Sequence, residues 1–243
     1  MTTQDQEIKE FLSKGLSFEE HLLKIGVLIR NQSKEVYSYN LLDARLTLIS
    51  IYFHLINWKS NIPGITNQQI SERLELIAAF FQRTYLVETA ISEGQYFKAA
   101  AMLKQNIEIV TRIRELREGL AKNAKVPNVK NSPKGMNIFY SQLNDIAHIS
   151  KPELYSLFLE KLSIGSFIGA SPFPTTNTEV ARNLYELHIW LLFEMVRELM
   201  ILFTEMYGDL TNEDEFIKAL NFLDGVIGLL KGIGIKFEKR INN

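Results

Sequence analysis

Apolar side chains recur along the chain at intervals of three and four residues, the spacing that lays them along one side of a helix. A polar segment over residues 4–14 can form a short helix, but Gly15 interrupts it. Ser17, with Glu20 three residues on, then makes a capping box that opens a helix from Phe18 to about Ser33. Its stripe runs through Leu22, Ile25 and Ile29, with Leu23 and Val27 beside it. A second helix, from about Tyr39 to Lys59, carries Leu42, Leu46, Ile49, Phe53 and Ile56. After the Pro63-Gly64 turn, Thr66 and Gln69 again have capping-box spacing, and Ile70, Leu74, Ile77, Phe81, Tyr85 and Ala90 lead to a stop at Gly94. The next helix, about Gln95 to Lys122, starts on Ala99, Ala100 and Ala101 and continues through Leu103, Ile107, Val110, Ile113, Leu116 and Leu120. Its short connection makes it an antiparallel neighbour of the one before.

Periodicity then fails from Lys122 to Lys134, a stretch with Pro127, Pro133 and four lysines that reads as an exposed loop. Helix returns over Gly135 to Ile149, and Pro152 at a first helical position opens another that fades at Gly165. Residues 165–178, with two glycines and two prolines around Phe167, Ile168 and Phe173, form a short extended connector or a small hairpin. The most apolar helix, about Glu179 to Tyr207, admits Glu194 and Glu198 into an otherwise greasy surface and belongs at the centre. A last helix covers about 212–230, and the glycine-broken Lys231 to Asn243 reads as a loose basic tail. The alternation of strands and helices that marks an α/β fold is absent. The expected fold is therefore all-α: a single up-and-down bundle of about seven to nine helices, forming one domain over 1–243 with its N-terminal helices (4–60) packed on the rest.

Composition narrows the functional classes. At 243 residues the chain can bury a sizeable core without staples. The 27 Lys and Arg against 28 Asp and Glu argue against a dedicated polyelectrolyte binder, so any nucleic-acid contact must come from a local patch. The absence of cysteine removes disulfides, thiolate zinc sites and cysteine nucleophiles. The polar N-terminus lacks a signal-like pattern, and Leu184 to Phe203 carries Glu186, Glu194, Arg197 and Glu198, a poor membrane span. The expectation is a cytoplasmic protein with no membrane partner.

Chemistry concentrates in Gln142-Leu143-Asn144-Asp145-Ile146-Ala147-His148. Asn144 lies four residues and Asp145 three residues before His148, so a helix places both within reach of the imidazole. A carboxylate there can set the tautomer and pKa that a general acid/base needs. The bland alternative is a helix-end histidine held by local hydrogen bonds and the helix dipole. A di-iron bundle requires two Glu-x-x-His motifs; Asp145-x-x-His148 is a single half, and His188 with Glu194 does not reproduce it, so no metal and no cofactor is expected. His21 and His54 lack a partner pattern and read as surface or core-rim residues. Arg112, Arg114, Arg117, Lys122, Lys125, Lys130 and Lys134 can contact phosphates, with Phe139 and Tyr140 adjacent for stacking. An acidic cluster, Glu205, Asp209, Glu213, Asp214 and Glu215, balances them and can serve self-association instead.

The helix with Leu103-Lys104-Gln105-Asn106-Ile107-Glu108 and the later Tyr140 to His148 resemble the core of the HEPN (higher eukaryotes and prokaryotes nucleotide-binding) superfamily, over about residues 66–206. Active members of that superfamily are metal-independent ribonucleases with an Arg-polar-x-x-x-His motif used from two facing subunits. The resemblance therefore implies a homodimer, His148 as the proton-moving residue, Asn144 at the polar position and Glu108 in the cleft beside it; Lys104 and Arg112, each four residues from Glu108, are further cleft candidates, and the bland alternative for both pairs is an ordinary helix salt bridge. The arginine position is Leu143, which cannot stabilise developing phosphorane charge; such a loss typically costs about 10² to 10³ in rate. The expected function is thus a non-catalytic HEPN-like module binding RNA, a nucleotide or a protein partner. The alternatives are a ribonuclease using His148 with an arginine from elsewhere, and a structural or protein-interaction bundle.

Overall fold

The computed structural model describes residues 3–122, 125–148, 158–159, 161–164 and 167–232. Seven α-helices account for most of them: α1 Thr3–Val36, α2 Tyr39–Lys59, α3 Gln68–Ser92, α4 Tyr96–Arg117, α5 Met136–Ala147, α6 Thr178–Tyr207 and α7 Asp214–Gly232. A two-stranded antiparallel hairpin, β1 Lys161–Ile164 and β2 Phe167–Ala170, precedes α6. The all-α bundle expected from the periodicity is the observed fold. Among the described residues, no helix is long and apolar enough to cross a membrane.

The centre is α6, which packs against α1, α2, α3 and α4. From Leu191 to Val196 every residue of α6 is buried, as a helix apolar all round must be. It runs parallel to α4. The Tyr96 hydroxyl donates to Asn177 O (3.1 Å) and accepts from Asn177 N (2.9 Å) at one end, and Arg117 bonds Glu198 at the other. On the far sides, α5 packs on α4 and α7 on α2.

Local chemistry explains the helix ends. Asn67 caps α3, its side-chain oxygen accepting from Ile70 N at 2.9 Å, whereas Thr66 pairs instead with the Ser71 hydroxyl. Asn67→Ala is expected to cost about 1 kcal/mol and lower the melting temperature by a few degrees, measurable by thermal denaturation. Gly94 turns α3 into α4 at φ +74°, and a Cβ there would lie 2.3 Å from Thr175 O, so only glycine fits. The expected extension of α4 to Lys122 does not occur. Gly119 takes φ +69° and Leu120 N returns to Glu115 O (2.8 Å), a Schellman stop that leaves Leu120 exposed.

Three further expectations change. Gly15 does not divide the first helix, and α1 continues through it. In α2 the buried stripe is Leu41, Ala44, Leu48, Ile51 and Leu55, while Leu46, Phe53 and Ile56 are exposed. An apolar helix offers two stripes at the same period, and a one-residue shift turns the buried face by 100°. The extended segment begins at Lys161, inside the helix expected to reach Gly165, because cross-strand pairing leaves no one-dimensional period to read. The part of that expected helix over 152–157 lies outside the described residues, as does the tail over 233–243.

Candidate functional site

Helix α5 enters from Gly135, which sits at φ +88° against the Trp190 ring, and lays Met136 and Leu143 into the core. Asn144 and Asp145 are half-buried. His148 is the exposed C-cap, its backbone N–H donating to Asn144 O at 3.0 Å. Leu143 retains 3% of its exposure, and five helical residues separate it from His148, a rotation of about 140°. A cation at position 143 would enter the apolar core instead of facing the histidine. The departure seen in the sequence is thus built into the packing.

The α4 arginines do not replace it. Arg112 Nη1 donates to Lys122 O (3.1 Å) and lies 3.8 Å from Glu115, while Arg117 chelates Glu198 and also meets Glu118 at 3.2 Å. Arg114 adds its charge to the same Glu198 environment.

Lys104 and Glu108 do come together with α5, but through Tyr140. The Tyr140 hydroxyl donates to Glu108 Oε1 at 2.8 Å, Lys104 Nζ lies 3.3 Å from the same oxygen, and that ammonium stands 5.4 Å from the Tyr140 ring centroid. Burial first, then the Glu108 hydrogen bond and charge, push the Tyr140 pKa up to about 12, so the phenol stays protonated at neutral pH. The triad is internally satisfied: carboxylate, ammonium and phenol each have a partner. It also lies eight residues before His148, about 12 Å along α5. Phe139 and Tyr140, offered by the sequence for stacking, both have partners within the fold: Phe139 packs edge-on against Trp190 (5.8 Å, 90°) and the Tyr140 ring sits beneath Lys104.

Lys122, Lys125, Lys130 and Lys134 are exposed on the loop between α4 and α5. A buried carboxylate that the sequence did not single out shapes this loop: Glu115 Oε1 accepts from Asn128 N (2.7 Å) and Asn131 Nδ2 (2.8 Å), holding a 3-10 turn at Val129–Asn131. A glutamate in the last turn of a helix, against the dipole, was the available signal.

The remaining histidines divide sharply. His54 Nε2 meets Glu215 Oε2 at 3.0 Å, and His21 lies edge-on to Phe173 at 4.9 Å. His188 is fully buried on α6, and neither ring nitrogen has a hydrogen-bond partner among the described residues. Burial, then the positive charge of Arg45, lower its pKa to about 3. Among the described residues, no three His, Asp or Glu side chains are grouped to hold a metal ion. No family model, no curated protein and no solved structure matches the chain.

Proposed function

We propose that the chain is a non-catalytic helical binding module that docks on protein surface through exposed apolar helix faces, in a cytoplasmic setting. The observation that carries this reading is the apolar surface of α1, where Ile8, Phe11, Leu12, Leu16, Leu23 and Val27 are each more than half exposed. Large apolar surfaces of this kind mark interaction sites. The HEPN-like likeness and a homodimer belong to the same proposal, and in the fold Lys104 and Glu108 meet α5 through Tyr140. Its ribonuclease chemistry is disfavoured by Leu143 in the core and by α4 arginines engaged with carboxylates. RNA is the weaker partner class, because the chain's net charge is −1 and the two aromatics beside the basic loop are occupied within the fold.

The test uses mixed RNA without metal, at low salt. Wild-type protein and His148→Ala are both expected to leave the RNA intact and unretained on a filter. Cleavage that His148→Ala abolishes would replace this reading with the ribonuclease one, and retention lost on charge reversal of Lys125 and Lys130 would replace it with RNA binding.

A further inference from the structure

Helix α1 has two apolar faces, and among the described residues one of them meets the body. Ile29 and Ser33 are buried, Arg30 bonds Thr89 of α3 and Glu93 at its C-cap, and Phe18 packs on Phe173. Toward the N-terminus this contact ends: every residue from 4 to 17 is exposed, about 14 residues and about 21 Å of helix. A helix of that length is marginal in water without tertiary packing, and Gly15, with nothing among the described residues within 4 Å of where its Cβ would stand, weakens it by roughly another 1 kcal/mol. Along the same segment Ile8, Leu12, Leu16, Leu23 and Val27 fall within about 100° of one another, a continuous stripe 51 to 72% exposed.

The charges along this stripe name its occupant. Along one flank of it, Asp5, Lys9, Glu20 and Lys24 follow one another as acid, base, acid, base, and Glu19 also lies within the stripe. Turned end for end about a point between Lys14 and Gly15, the series becomes its own complement: Asp5 stands opposite Lys24, and Lys9 opposite Glu20, each twice. Parallel pairing would instead set Lys9 on Lys9 and Glu20 on Glu20. The antiparallel crossing also brings Leu12 and Leu16 of each helix together and places Gly15 where the two backbones approach most closely.

We propose that α1 pairs antiparallel with α1 of a second copy of this chain, through the stripe from Ile8 to Leu23 and the reciprocal Asp5–Lys24 and Lys9–Glu20 pairs. This rests on the binding-module reading and deepens it by naming the partner. The surface differs from the one the HEPN resemblance implies, which would bring the His148 regions of two subunits together.

Sedimentation equilibrium of the full chain over a dilution series tests the pairing, with circular dichroism to check that each variant keeps its fold. The wild type is expected to dimerise, and Leu12→Asp with Leu16→Asp to be monomeric. Lys9→Glu alone should weaken the dimer by roughly tenfold or more, since it sets like charges opposite each other twice, and Lys9→Glu combined with Glu20→Lys should restore it. A wild-type monomer, a dimer indifferent to the paired aspartates, or a charge swap that fails to restore association would each overturn the proposal. The RNA assay does not involve this helix, so failure here and failure of the module reading are separable.

Discussion

Replacing Arg117 with alanine is expected to destabilise the bundle by about 3 kcal/mol, seen as a lower urea midpoint at unchanged slope. Glu198 projects from the central helix with its side chain only 5% exposed, and both of its oxygens accept from Arg117 Nη1 at 2.8 Å. Burial raises its pKa even though Arg117, Arg114 and Arg73 all pull the other way, so desolvation is the larger effect. A buried carboxylate in that position depends on its partner; without it the charge is left uncompensated, which is the expensive way to break a buried pair. The expected loss lies at the low end of the usual range because Arg114 and Arg73 remain close. Arg117→Met combined with Glu198→Leu removes both charges and should return to within about 1 kcal/mol of wild type. If Arg117→Ala alone proved nearly neutral, the pair would be behaving like a solvent-exposed one, and the account of α6 as an element carrying buried charges would be wrong.

The helix count and most helix ends were legible because they depend on local chemistry. Gly94 and the boundaries of α2 and α6 follow from capping side chains and glycine within a few residues of the end, while at the start of α3 the cap is Asn67 and not the expected Thr66. Faces were less legible. Leu46 and Phe53 stand seven residues apart, as do Leu41 and Leu48, and the position of α6 and α7 selects between the two stripes. At the candidate site, Leu143 was visible in the sequence as a departure from the Arg-polar-x-x-x-His pattern, and the fold adds the reason that no cation fits there. What the sequence did not reveal were pairings across long separations: Glu115 holding the basic loop, Tyr140 taking the carboxylate of Glu108, and Glu198 meeting Arg117. Charge balance and periodicity have no term for these, because they depend on which side chains two packed helices bring level.

His188 gives the other large effect, in acid. Its folded pKa of about 3 lies below the ordinary 6.5, so between those values the unfolded chain binds a proton that the folded chain refuses. Stability is therefore intact above about pH 6.5 and falls as pH drops through the unfolded value toward 3, by up to on the order of 5 kcal/mol. Two features of the site produce this: the ring is wholly enclosed in α6's packing, stacked edge-on to Tyr185 at 6.3 Å, and Arg45 adds a like charge to any imidazolium. Glu198 works in the opposite direction, since a carboxyl with a raised folded pKa gains stability as it protonates, and this blunts the acid limb without reversing it. His188→Leu isolates the histidine. It removes a buried ring whose two nitrogens have no partner among the described residues, so neutral stability should hold or rise, and the melting temperature should decline much less between pH 7 and pH 4 than in wild type. Parallel pH profiles for the two proteins would show that acid sensitivity arises elsewhere and that the imidazole is reached by solvent or protonated in place.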